Sequence, residues 1–180
     1  MQDELEFDLT LYPDPVLRKR AQEVAVDDAL RATVRAMLRR MYASGGVGLA
    51  APQVGLRQRV LVLNETGNAG EGEELALVNP RILERSGPPT VYEEGCLSFP
   101  QLYAEVERPE RCRVAYTTPE GEAVEREFEG FTSRIVQHEY DHLEGVLLVD
   151  RMSPADKHRH RAALEELVRK YQRAVAAAKR

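Results

Sequence analysis

Gln137 to Leu148 reads "QHEYDHLEGVLL", and in it His138, Glu139 and His142 have the types and spacing of a metal-assisted hydrolytic site. On a helix, positions four apart share one face a turn apart, so the two imidazoles can converge on one cation. Glu139, beside the first of them, is placed to take a proton from water near that cation. Two donors are not enough, because catalytic zinc-type sites generally use three protein ligands and keep one position open. Zinc peptidases that extend this pattern carry a third histidine where this chain has Leu148, and leucine cannot bind a metal. The remaining donors are His158, His160 and Glu166 downstream and Cys96 upstream. A lone cysteine is ordinarily a small buried hydrophobe, which suits Cys112 within an alternating apolar and polar run. Cys96, in "VYEEGCLSFP", sits instead in a glycine-flanked bend with no evident partner strand or helix, where a thiolate can face a cleft.

The elements that must position these residues can be read from periodicity. "DDALRATVRAMLRRMYASGG" carries Leu30, Val34, Met37, Leu38 and Met41 at helical spacing, with Asp27 or Asp28 as cap and Gly45 as stop. Arg59 to Asn64, "RVLVLN", is a buried strand, "NETGNAGEGEE" a mobile, solvated acidic loop, and "LALVNPRIL" a second strand. "RCRVAYTT", the turn "PEG" and "EAVEREFEG" form an antiparallel hairpin. Thr132 or Ser133 caps the helix that holds the histidines, which runs to about Leu143 with Gly145 as its stop. Ser153-Pro154 opens a final basic helix over 154–180, whose stripe is Leu164, Leu167, Val168, Tyr171 and Val175. Strands lie between helices without a βαβ rhythm. The expected fold class is therefore α+β, with antiparallel strands around a central metal-binding helix, flanked by an N-terminal and a C-terminal helix. "GGVGLAAPQVG", Gly45 to Gly55, is apolar for a surface loop. It offers close backbone approach at Gly46 and Gly48 and one amide side chain, Gln53.

Bulk properties narrow the class. A chain of 180 residues with 43% apolar residues fits one domain, 1–180, with a substantial core. The net charge of −5 argues against a whole-protein nucleic-acid binder. Residues 154–180 hold eight Lys/Arg against three Asp/Glu, a net of +5 that leaves −10 on residues 1–153, so a basic tail extends from an acidic body. Two cysteines make no disulfide framework, "MQDELEFDL" lacks the apolar stretch of a signal peptide, and no run is long enough to span a membrane. These features fit a cytoplasmic protein.

"GVGLAAPQVG", "EGCLS" and "QHEYDH", in that order and spacing, resemble the three signature motifs of the peptide deformylases, over essentially the whole chain. Those enzymes remove the N-formyl group from nascent bacterial polypeptides. The resemblance implies that Cys96, His138 and His142 are the metal ligands and Glu139 the general base and then acid. It places the Gln53 amide and the Leu97 N–H at the developing oxyanion. It implies a methionine slot lined by Val47, Gly48, Tyr92, Glu94, Phe131, Ile135 and His138, with backbone near Val47 and Gly95 pairing with substrate in strand fashion. It further implies one divalent metal ion per chain, Fe²⁺ in the cell with Zn²⁺, Ni²⁺ or Co²⁺ in purified protein, and a monomer. Nascent N-formylmethionyl polypeptides would be the substrates and the ribosome a partner of the C-terminal helix, with no membrane. Arg134 departs from relatives that carry an aliphatic residue there. An arginine at that place is expected to lay its stem against the slot and keep its charge in water. The competing reading is a zinc metallopeptidase that uses the HExxH helix and leaves the other two motifs idle.

Overall fold

The computed structural model describes residues 5–178. The N-terminal helix, α1, spans Asp28–Ala43. Asp27 caps it, its side chain accepting from the Leu30 N–H at 2.8 Å, a contact of roughly 1 kcal/mol. The Leu30, Val34, Met37 and Met41 stripe is buried. It rests on one face of a five-stranded antiparallel sheet in the order β1 (Gly48–Ala50), β2 (Val60–Leu63), β3 (Leu75–Cys96), β4 (Phe99–Thr117), β5 (Ala123–Glu129). The helix α2, Gly130–Leu143, covers the other face. The continuous apolar run of β2 follows from this sandwich. Val60 and Val62 meet the α1 layer while Leu61 and Leu63 meet the α2 layer, and all four are buried.

β3 and β4 form a ribbon far longer than the expected strand "LALVNPRIL" and the hairpin from Arg111, and it runs through Gly87, Pro88 and Pro89. Pro89 lies opposite Pro109 just after a register shift at Ser86, where the ladder does not need either missing N–H. Cys96 accordingly lies not in an isolated bend but at the end of β3. It pairs with Phe99 across a tight turn that breaks register at Gly95. The hairpin from Arg111 has the expected antiparallel pairing. The loop 64–74 is solvated but tethered. The buried Asn64 side chain accepts from Thr66 and donates to the Glu71 carbonyl at 2.7 Å, so the expected mobile loop is wound around one amide.

The cap position of α2 is Glu129, three to four residues before the expected Thr132 or Ser133, and the helix ends before Gly145 in the left-handed region (φ 74°). After α3 (Leu148–Arg151), the expected single basic helix is two, α4 (Pro154–Arg159) and α5 (Arg161–Ala178), separated at His160. Ser153 caps α4 as read. Leu164 and Leu167 of the expected stripe pack on the cluster beneath the ribbon, around Leu17, Phe99 and Leu102. Among the described residues no helix is long and apolar enough to cross a membrane.

Candidate metal centre

The site is built from two elements, the end of β3 and one face of α2. α2 buries His142 and Glu139 at the foot of a cleft, and β3 brings Cys96 down to them. The donor atoms of Cys96, His138 and His142 all lie within 4.8 Å of one another. Cys96 Sγ and His142 Nε2 are 3.4 Å apart. A cation bound tetrahedrally at about 2.3 Å from sulfur and 2.0–2.1 Å from nitrogen would hold such a pair roughly 3.6 Å apart, so the donors fit a metal. Burial keeps the His142 pKa well below the ordinary imidazole value, which leaves the ring neutral and free to donate a lone pair. The rival third donors are elsewhere. His158 is exposed on α4, and Glu166 on α5 accepts from Arg169 at 2.9 Å.

His138 is oriented by Glu94. Its Nδ1 lies 2.9 Å from Glu94 Oε2. Burial alone would raise the Glu94 pKa, but hydrogen bonds from His138 and Arg108 hold the carboxyl well below its usual range. An ionised carboxylate only accepts, so Nδ1 carries a proton and Nε2 is the nitrogen left for a metal. Burial alone would lower this ring's pKa, but hydrogen bonds with Cys96 and Glu94 raise it well above the ordinary imidazole value, so a cation at Nε2 must displace a proton. Arg108 grips both Glu94 oxygens, at 2.7 and 2.9 Å, and reaches Asp141 at 2.9 Å. Arg134, expected to keep its charge in water, is buried and donates to Glu94 Oε1 at 2.8 Å. The acceptor is a carboxylate that two other groups already need inside the protein. The guanidinium charge is thus matched inside the protein by charge-assisted hydrogen bonds rather than by water.

Gln53 is fixed by its own backbone neighbourhood. Its Oε1 accepts from the Ala50 N–H at 2.9 Å, which turns Nε2 toward Cys96 Sγ (3.5 Å) and Ser98 Oγ (3.3 Å). Glu139 Oε2 is buried without a hydrogen-bond partner among the described residues, and burial raises that carboxyl to about 7. A buried carboxylate with no proton donor beside it suits a cation and a water in the space it faces.

The cleft holds about 690 Å³. Val47 and Gly48 line one bank, Leu97 and Gly95 the other, with Phe131, Ile135 and His138 on the helical side. Tyr92 and Phe131 stand exposed at the mouth, their rings 6.2 Å apart. Glu94 reaches the cleft wall but spends both oxygens on Arg108, Arg134 and His138. The sequence reading missed Arg108, Asp141 and Ser98. Asp141 lay within the quoted motif, three residues after His138, while nothing in the chain marked Arg108.

Gly48 is a glycine because α2 passes over it. A Cβ there would come within 2.6 Å of Glu139 Oε1 and 2.7 Å of Ile135 Cγ2. Gly48→Ala is expected to displace Glu139, lowering kcat by about 100-fold with metal content retained. Overpacking should cost about 1–3 kcal/mol in urea denaturation. Unchanged kcat would show that the carboxylate position is not critical.

A Cys/His/His donor set beside a buried, unpartnered carboxylate, on an α+β scaffold and at the foot of a peptide-sized cleft, defines a metal-dependent hydrolase. The polypeptide deformylase family model matches residues 7–158, and the chain belongs to that family, whose members carry out metal-dependent deformylation. It is 46% identical to a peptide deformylase of Thermotoga sp. (strain RQ2) over 93% of this chain and 99% of that one. It is 42% identical to the chloroplastic peptide deformylase 1B of Oryza sativa, over 96% of this chain and 64% of that one. The crystal structure of a plant peptide deformylase of the 1B type superposes with a TM-score of 0.93 at 42% identity, covering 98% of this chain and 96% of the other.

Proposed function

We infer that Cys96, His138 and His142 hold one divalent cation, and that Glu139 works beside it to strip the formyl group from formylmethionine at the start of nascent polypeptides. The observation that carries this reading is the convergence of three donor atoms within 4.8 Å beside a buried, unpartnered carboxylate. A cation held there would supply Lewis acidity, polarising a carbonyl and lowering the pKa of water beside it toward ~7. Glu139 takes a proton from the attacking water as its oxygen adds to the formyl carbon. Gln53 Nε2, already turned toward Cys96, and the Leu97 N–H donate to the formyl oxygen as charge grows on it. A single donor of this kind is worth roughly 3–4 kcal/mol in the transition state. Glu139 then returns the proton to the departing nitrogen, and the products are formate and a free N-terminus.

The methionine side chain takes the slot between Val47 and Gly48 on one bank and Tyr92, Phe131 and Ile135 on the other, all of which line the cleft. The peptide runs on past Gly95 in strand fashion. Fe²⁺ is the metal of the cell, with Zn²⁺, Ni²⁺ or Co²⁺ in its place after aerobic purification; a thiolate and two imidazoles accept all of these. The protein acts as a monomer in the cytoplasm, where nascent chains emerge. Its basic C-terminal segment is drawn to ribosomal RNA, although the structure spends part of the charge internally. Arg161 and Arg169 pair with Glu165 and Glu166, which leaves Lys170 and Arg173 without ion pairs among the described residues. Lys179 and Arg180 lie outside those residues. Sedimentation with ribosomes at rising salt tests this docking, which should weaken as salt rises.

The test of function is formate release from formyl-Met-Ala-Ser by protein purified without oxygen, with the acetylated peptide as control. Release from the formyl peptide alone is expected, and none from an iron-loaded sample would overturn the reading.

A further inference from the structure

The three metal donors come from two separate elements, Cys96 from the end of β3 and the histidines from α2. Their spacing therefore depends on whatever cross-links that strand to that helix. Arg134 is placed to do this. It lies one turn before His138 on α2, and both side chains bind the same carboxylate, Arg134 Nη1 at Glu94 Oε1 (2.8 Å) and His138 Nδ1 at Glu94 Oε2 (2.9 Å). Glu94 is thus clamped by two side chains of a single helical turn, two residues before Cys96 on the same strand.

The same guanidinium reaches further along the ribbon. Nη1 also donates to the Val106 carbonyl of β4 at 2.9 Å, and Nη2 to the Thr90 carbonyl and hydroxyl of β3 at 2.7 and 2.8 Å. Its Cζ lies over the Tyr92 ring, 5.6 Å from the centroid. A planar fork with fixed donor directions holds several acceptors in one relative geometry, which a flexible ammonium does not. The hydrogen bonds of Arg108 to Glu94 and Asp141 form a second link, but start from β4. Arg134 joins the turn of His138 directly to the strand of Cys96 through Glu94, whereas Arg85 of β3 meets that turn only by lying over the Tyr140 ring, 6.0 Å from its centroid.

We propose that Arg134 is a positioning residue, which sets the separation between the Cys96 thiolate and the two imidazoles by pinning β3 to α2 through Glu94 and Thr90. This rests on the metal reading above. Loss of an outer partner of a metal-binding histidine typically costs 10–100-fold in metal affinity. A purely structural arginine would move thermal stability and leave affinity and ligand geometry alone.

The test is a Co²⁺ titration of metal-free protein against a competing chelator, read by dissociation constant and by the visible ligand-field absorption of bound Co²⁺. Wild type, Arg134→Met, Arg134→Gln and Arg134→Lys are compared at a temperature where circular dichroism shows each folded. Arg134→Met is expected to weaken Co²⁺ binding by about 10-fold or more and to shift the absorption bands. Arg134→Gln, which keeps a donor but no charge, should fall between Met and wild type, and the lysine variant should recover part of the affinity through Glu94. If Arg134→Met does not fold, Arg134→Gln decides. Wild-type affinity and spectrum in folded Arg134→Met or Arg134→Gln overturn the proposal, as does a lysine variant no better than methionine. Absence of Co²⁺ binding by the wild type would instead overturn the metal assignment on which it rests.

Discussion

Cys96→Ala is expected to yield a folded protein that retains little metal and releases formate at least ~100 times more slowly than wild type. Two imidazoles on one helical turn remain in the variant, but a catalytic site of this kind uses three protein ligands. Removing a mere outer partner of such a ligand already costs 10–100-fold, so deletion of the ligand itself should cost more. The substitution also removes the sulfur that lies 3.4 Å from His142 Nε2 and that a bound cation would take as its one anionic donor. Cys96 is half-buried at a strand end, so the lost sulfur should leave no large cavity, and circular dichroism should be unchanged. Metal content by mass spectrometry and formate release, both on protein purified without oxygen, check the expectation. A peptidase-like site built on the HExxH helix alone predicts full metal and unaltered activity in this variant. That outcome would send the search for a third ligand back to the tail, where Glu166 is held by Arg169.

Much of this site could be read from the chain because its parts obey local rules. His138 and His142 share a helical face by spacing alone, and Gly46 and Gly48 advertise a close approach that the structure places against Leu97 and Glu139. α1 announced itself by stripe and cap, and β2 by an apolar run that two covering helices explain. The ribbon did not, since prolines weigh against a strand unless their register is known, and register is a property of the partner. The same reason hid Arg108 and misplaced Arg134. Whether an arginine beside a slot keeps its charge in water depends on a carboxylate forty residues away in sequence, and Glu94 read as slot lining rather than as the hub of a buried charge cluster. Long-range polar pairing leaves no periodicity behind. The break at His160 was likewise invisible, since the residues on both sides are good helix formers.

Glu139→Gln separates proton transfer from metal binding. The amide keeps the shape of the side chain and one acceptor oxygen but cannot take a proton from water. The expectation is a kcat lowered by about 10²–10⁴-fold, the usual contribution of a placed acid–base group, with metal content close to wild type. Stability should move the other way. Burial raises the folded-state pKa of Glu139 to about 7, against about 4.3 for an unfolded glutamate. Between those values the folded state of the metal-free protein binds more protons than the unfolded state, so this group makes stability fall as pH rises across that window. Above it the loss is complete, on the order of 4 kcal/mol. The substituted amide does not titrate, so metal-free Glu139→Gln should gain on metal-free wild type progressively from about pH 4.3 to 7, measured as a rising difference in urea midpoint. Loading the cation should shrink that difference, because a positive charge beside the carboxylate favours its ionised form. A variant that keeps its metal and loses less than tenfold in kcat would remove Glu139 from the chemistry. A urea difference flat across pH would mean that the carboxylate is better solvated than its burial implies.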